Sequence, residues 1–131
     1  MDLRALLAVE FQRRRQHNSR YSLRAFARSM GFHHSTLSRI LRRRQRLTAP
    51  MTHALGVSLG LTSRDISEAY LHESGRRVLD LVGRPDFQPR SRWLAMMAGI
   101  PLDDVNLVLQ RLLQSRRLTM INRITWIKEG C

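Results

Sequence analysis

The chain has 131 residues, a formal net charge of +13 and a hydrophobic fraction of 43%. This composition predicts a folded globule with a basic surface, built on one core or two small ones, and excludes a mainly disordered chain. The single cysteine, Cys131, is the last residue, which excludes an internal disulfide and a cysteine-based zinc site and suits a reducing, cytoplasmic location. No segment approaches the roughly 20 apolar residues of a membrane span, so we expect neither secretion nor membrane insertion.

The positive charge is concentrated in the first third of the chain. Residues 1–46 contain 12 arginines against Asp2 and Glu10, a net charge of +10, and only Lys128 among the 23 basic residues is a lysine. The planar guanidinium of arginine suits phosphate groups and guanine edges, so a polyanion is the expected partner, with double-stranded DNA as the leading candidate. An anionic membrane surface is the alternative, but the basic segments lack the apolar opposing face of an interfacial helix.

Apolar spacing and capping residues predict the helices of the first part in chain order. Ser22 and Gly31 have the residue types that begin and end a short helix, and Thr48 marks the start of a later one. A break is predicted at Gly75. The predicted helices are 2–16, 23–30, 34–42, 49–59, a segment from Thr62 or Ser63 to Gly75, and 76–83.

The pattern then restarts, which predicts a domain boundary between 1–74 and 75–131. Helices are predicted over 91–98 and 102–115. After them the apolar period changes to two, and we expect a β-hairpin around Asn122 and Arg123. The alternating residues are Leu118, Met120, Ile124 and Trp126.

The two parts align at an offset of 68 residues. Gly31 aligns with Gly99 and Leu37 with Val105, which are packing positions of a helix-turn-helix. The outward positions differ. In the first part they are His34, Ser35, Thr36, Ser38, Arg39, Arg42 and Arg43. In the second they are Leu102, Asp103, Asp104, Asn106, Leu107, Gln110 and Arg111. Because carboxylates repel phosphates, we expect only the first part to read DNA. Asp103, Asp104 and Leu107 form a candidate partner interface.

The segment YSLRAFARSMGFHHSTLSRILRRRQRLTAPMTHALGVSLGL, from Tyr21 to Leu61, resembles the phage-repressor-like helix-turn-helix. The later segment SRWLAMMAGIPLDDVNLVLQRLL resembles a winged helix, and the whole chain resembles a short two-part bacterial regulator. The resemblance implies a mainly α fold, with a repressor-like helix-turn-helix bundle followed by a winged helix with a C-terminal β-hairpin. It also implies base reading by the second helix of the first unit, at His34, Ser35 and Arg39, with Ser38 as a lesser candidate.

The remaining polar residues of this region are assigned to the DNA backbone. Among the base-reading candidates, Arg39 can pair with guanine, which is worth about 1 to 3 kcal/mol of discrimination against the other bases. Ser35 and Thr36 suit phosphates or a thymine methyl group. The predicted phosphate contacts are Ser22, Thr36, Arg42, Arg43, Arg44 and Arg46.

The expected function is therefore sequence-specific binding of double-stranded DNA by a bacterial transcriptional regulator, acting as a homodimer near the nucleoid. Adjacent His33 and His34 are expected to point in different directions and to hold no metal, and we expect no catalytic residues and no cofactor. Trp93 and Trp126 are assigned to the core. Two alternatives stay open: an architectural nucleoid protein and a protein-interaction adaptor. Arg76-Arg77 and Arg90-Arg92 form a candidate site for an anionic ligand such as a nucleotide. No other feature of the sequence supports a small-molecule effector.

Overall fold

The computed structural model describes residues 1–129, and the described part contains seven helices and two strands. Its contacts divide the chain into an N-terminal unit, residues 1–70, and a C-terminal unit that starts at Leu71. Cys131, the residue behind the prediction on disulfides, lies outside the described range. None of the helices within 1–129 is long and apolar enough to cross a membrane. The elements are α1 (Leu3–His17), α2 (Leu23–Met30), α3 (His34–Leu41), α4 (Ala49–Ser58), α5 (Ser63–Val82), α6 (Ser91–Ala98), α7 (Leu102–Gln114), β1 (Leu118–Met120) and β2 (Trp126–Lys128).

The helices of the N-terminal unit begin and end at residues whose side chains or backbone favour those ends. Ser22 accepts a hydrogen bond from the Ala25 backbone N–H at 3.0 Å, and Thr48 accepts one from Met51 at 3.3 Å, so both predicted helix starts are confirmed. Gly31 ends α2 in the left-handed conformation with φ +80°. A residue with a Cβ atom would be strained at that angle.

The core of the N-terminal unit lies where α2 and α3 pack on each other, with α1 against α3 and α4 against α2. Phe26, Leu37, Ile40 and Leu55 are fully buried in it. Phe11 covers one side of this core and stacks on Phe26 with ring centroids 5.2 Å apart. The apolar spacing of α2 and α3 therefore fixes which side of α3 faces outward.

A buried arginine connects α1 to the end of α3. The Arg4 side chain is only 6% exposed, and its Nη1 donates a hydrogen bond to the Ile40 carbonyl at 2.7 Å. The carbonyl groups at the end of a helix carry a partial negative charge and have no partner within the helix. The guanidinium of Arg4 supplies both a donor and a positive charge at this point.

The C-terminal unit has its own core, formed by the end of α5, by α6 and α7, and by β1. Val78, Leu94, Val105 and Val108 are buried in it. The predicted break at Gly75 is wrong, because α5 continues from Ser63 to Val82. Gly75 is buried within this helix, and a Cβ atom there would be in ordinary van der Waals contact with Leu112 Cδ2, at 3.6 Å.

The last two described elements, β1 and β2, form a two-stranded antiparallel hairpin. Thr119 of β1 lies opposite Ile127 of β2. The hairpin is confirmed, but Ile124 lies in the loop and is 75% exposed, so its assignment to a strand is wrong. The reason is Asn122, whose Oδ1 accepts hydrogen bonds from the N–H groups of Ile124 and Thr125 at 2.8 Å each and closes a turn.

The repeat found in the sequence is present as two matching helix pairs. α2 and α6 start and end at positions 68 residues apart, and Gly31 and Gly99 both have positive φ, at +80° and +69°. Both second helices, α3 and α7, start three residues after that glycine. The structure is thus mainly helical with a small hairpin, and the two pairs can be compared position by position.

Replacing Arg4 with methionine should weaken the attachment of α3. The variant keeps an unbranched side chain but loses the donor to Ile40, and we expect the free energy of unfolding of α3 to fall by about 1 to 3 kcal/mol. Hydrogen exchange of the α3 amides measures this directly. Arg44→Met, at an exposed position, is the control and should change it by less than about 0.5 kcal/mol. Equal protection of α3 in both variants would contradict the role given to Arg4.

Candidate nucleic-acid interface

The outward side of α3 carries most of the residues predicted to read bases. Leu37 and Ile40 are completely buried, which turns the other side of the helix away from the core. Arg39 is exposed there, and the other predicted residues are half-buried. These are His34, Ser35 and Ser38. The structure therefore brings the predicted base-reading residues together on one helix of eight residues.

Arg39 is held in place by its neighbours. Its Nε donates to Gln45 Oε1 at 3.3 Å, and its Nη2 lies 3.4 Å from Thr36 Oγ1. These long contacts orient the guanidinium without burying it. Thr36, predicted as a phosphate contact, has its hydroxyl on the Arg39 guanidinium.

The N-terminal end of α3 differs from expectation. His33 precedes the helix with an extended backbone, and its Nδ1 accepts a hydrogen bond from the Ser35 N–H at 3.3 Å. The rings of His33 and His34 lie 4.4 Å apart between centroids. The prediction that they point in different directions is wrong, because only His34 belongs to the helix.

The arginines after α3 fall into two groups. Arg43 has φ +60°, a conformation usually occupied by glycine at the end of a helix, and its Nη2 makes an ion pair with Asp2 at 2.6 Å. Arg42 and Arg44 are exposed, and their guanidinium groups make no hydrogen bond or ion pair with any residue of the range 1–129. Arg46 is also exposed, and Ser22 uses its hydroxyl to cap α2. Arg42 and Arg44 are thus the best placed of the predicted phosphate contacts.

The arginine run at the end of α1 is engaged within the unit. Glu10 accepts hydrogen bonds from Arg13 and Arg14, at 2.8 Å each, and these bonds lower the pKa of Glu10 to about 2. Arg14 also donates to the Tyr21 hydroxyl at 3.0 Å. Arg15 lies over the Phe11 ring, 5.7 Å from its centroid. These residues pack α1 on the unit and add less to its outward charge than the sequence suggests.

Two further arginines near α3 were not among the predicted site residues. Arg24 and Arg28 lie one turn apart on the exposed side of α2 and have no ion pair with a residue of the described chain. Together with Phe32, His33 and His34 they line a cavity of about 290 Å³. The spacing of four residues on the polar side of α2 is the sequence signal that marks this pair.

The candidate interface of the C-terminal unit presents different chemistry. Asp103 is exposed, Asp104 is half-buried and Leu107 is 44% exposed on α7. At the predicted anion site, Arg77 donates to the Ala98 carbonyl at 2.8 Å and so ends α6. Trp93 is buried, as predicted. Trp126 is half-buried beside Phe87, with ring centroids 5.2 Å apart. No group of three or more metal-ligating side chains occurs within residues 1–129.

Comparison of the chain with models of known protein families, with curated proteins and with solved structures gave no match.

The pKa of Glu10 provides a test of the α1 arrangement. Because the pKa in the folded state is about 2 and the ordinary value is 4.5, the stabilising effect of Glu10 is complete above pH 4.5 and is lost as the pH falls toward 2. Glu10→Gln should lower the free energy of unfolding by up to about 1 kcal/mol at pH 7, with a difference from wild type that shrinks below pH 4.5. An NMR titration of the Glu10 carboxyl with a midpoint near 4.5 would contradict the arrangement.

Proposed function

We propose that the protein binds double-stranded DNA sequence-specifically, with α3 in the major groove, and acts as a transcriptional regulator. The observation that carries the proposal is the exposed guanidinium of Arg39, oriented by Gln45 and Thr36, together with Arg42 and Arg44, whose guanidinium groups have no partner among residues 1–129. In this proposal α2 and α3 act as a helix-turn-helix, and α6, α7 and the hairpin act as a winged helix. A groove about 12 Å wide admits a helix, and a bidentate arginine distinguishes guanine from the other bases.

The residues of the interface have different roles in this proposal. Arg39, Ser38 and Ser35 lie along the outward side of α3 and would contact base edges. Arg42 and Arg44 follow the helix and would bind phosphates, which fix position and supply affinity without reading sequence. The side chain of Arg43 contributes less, because Asp2 already neutralises part of its charge.

The α7 side chains favour assigning base reading to the N-terminal unit. The position equivalent to Arg39 is Leu107, and Ser35 corresponds to Asp103, which is exposed. A leucine cannot donate to a base edge, and a carboxylate repels the phosphates of both strands. The two helix pairs are similar in their bounds, but only α3 presents a surface that suits DNA.

Two arginine substitutions separate base reading from backbone binding. Arg44→Ala should weaken binding to all duplexes alike and reduce the slope of log affinity against log salt by about one. Arg39→Ala should reduce the difference in affinity between duplexes that differ at one base pair by about 1 to 3 kcal/mol. Fluorescence anisotropy with a panel of single-base-pair variants measures both effects.

The exposed Arg64 of α5 gives a matched control. Arg64→Ala removes one positive charge from the same unit and should leave the discrimination between duplexes unchanged. If Arg39→Ala and Arg44→Ala behave alike and wild type binds every duplex equally, the base-reading role is wrong. The result would then favour an architectural DNA-binding protein, which binds through the backbone and through DNA shape.

A second proposal concerns self-association through the C-terminal unit. Most of the exposed large apolar side chains of residues 1–129 lie in this unit, including Leu107 on α7 and Met96 on α6, which is 71% exposed. Exposed apolar side chains of this kind favour a protein partner. A homodimer would place two copies of α3 on a pseudo-palindrome with half-sites about 34 Å apart.

Leu107→Arg tests this assembly. In light scattering we expect wild type to have the mass of a dimer and the variant to have the mass of a monomer that still binds a single half-site. A wild-type monomer both with and without DNA would overturn the dimer.

A further inference from the structure

The cavity between α2 and the start of α3 carries positive charge that the base-reading residues do not use. Its lining consists of Arg24 and Arg28 from α2, Phe32 from the turn, and His33 and His34 at the start of α3. It shares no residue with the row formed by Ser35, Ser38 and Arg39, whereas His34, predicted from the sequence to read bases, lines it. The lining contains no carboxylate.

The cations of this cavity have no counter-charge among the described residues. Arg24 and Arg28 make no ion pair within the range 1–129, although several other arginines of the unit do. Two guanidinium groups one helical turn apart offer parallel N–H donors to a single tetrahedral anion. Two positive charges at this spacing repel each other, so the pair of Arg24 and Arg28 does not stabilise the fold.

The two histidines add donors to the same space. The His33 Nδ1 lies 2.7 Å from Ser35 Oγ and 3.3 Å from the Ser35 N, and with the Ser35 N–H donating to Nδ1 the proton of the neutral ring lies on Nε2, where it can be donated to an anion. The pKa of His34 is lowered, first by partial desolvation and then by the nearby charges of Arg24 and His33. This lowering favours the neutral form of the His34 ring.

We propose that this cavity binds a phosphate group through Arg24, Arg28, His33 and His34, with uptake of a proton by His34. An anion next to His34 reverses the repulsion from Arg24 and stabilises the imidazolium, so binding and protonation favour each other. The phosphate can belong to the DNA backbone or to a small phosphorylated ligand. Phe32 forms an apolar wall of the cavity. The inference does not depend on the proposed function, because a site for a small phosphorylated ligand would stand even if α3 read no bases.

The test measures the pKa of His34 by NMR of the histidine rings in the full chain. One titration uses chloride, a second uses inorganic phosphate at the same ionic strength, and a third uses a short DNA duplex. We expect phosphate to raise the pKa of His34 by about one or more relative to chloride, as an opposite charge at close range does. The double variant Arg24→Gln and Arg28→Gln should lose this increase, and the control Arg64→Gln, at an exposed position on α5, should keep it.

The outcomes distinguish the two sources of the phosphate. An increase with the duplex that exceeds the increase with inorganic phosphate, together with DNA affinity that rises several-fold from pH 7.5 to 5.5, assigns the cavity to the DNA backbone. An increase with inorganic phosphate alone assigns it to a small phosphorylated ligand. The proposal is overturned if neither probe raises the pKa of His34 in wild type, or if the double variant, shown by circular dichroism to be folded, responds as wild type does.

Discussion

The hydrogen bond from the buried guanidinium of Arg4 to the Ile40 carbonyl fixes the end of the helix on which the functional proposal depends. It joins the first turn of α1 to the last turn of α3, at a distance of 2.7 Å. Asp2 strengthens the same junction, because one of its oxygens caps α1 and the other binds Arg43. With this end held and with Leu37 and Ile40 in the core, the outward side of α3 can only be the side that carries Ser35, Ser38 and Arg39.

Like Arg4, other arginines of this chain have structural roles, so the arginine content is not all available to a polyanion. Several arginines of this chain act at helix ends: Arg4 and Arg77 donate to carbonyl groups that end α3 and α6. Arg43 and Arg116 adopt positive φ after α3 and α7, where glycine is usual. Such conformations cost roughly 1 kcal/mol or more for a residue other than glycine. On α2, on α3 and directly after α3, the exposed arginines that make no ion pair within residues 1–129 are Arg24, Arg28, Arg39, Arg42 and Arg44.

Local signals predicted most of the helices, because these signals act within a few residues. Ser22, Gly31 and Thr48 determine helix ends through their own side chains or backbone, and the repeat predicted the matching bounds of α2 and α6. Gly75 was misinterpreted because a single glycine lowers helix propensity without ending a helix, and α5 continues through it. Ile124 was misplaced because the hydrogen bonds of Asn122 override alternation. The burial of Arg4 and the pairing of Arg43 with Asp2 depend on contacts between distant residues, which periodicity does not contain.

The sequence predicted the helix that carries the candidate site but not the role of each residue around it. The outward positions of α3 follow from the spacing of its apolar residues, whereas the cavity at Arg24 and Arg28 depends on the turn that brings His33 beside His34.

The measurement that tests the central claim most directly is selection of bound duplexes from a randomised DNA pool at near-physiological salt, where purely electrostatic binding is weak. The account predicts enrichment of a short motif that contains a guanine, and loss of preference at that guanine when Arg39→Ala is selected in parallel. Binding with no enriched motif would contradict it.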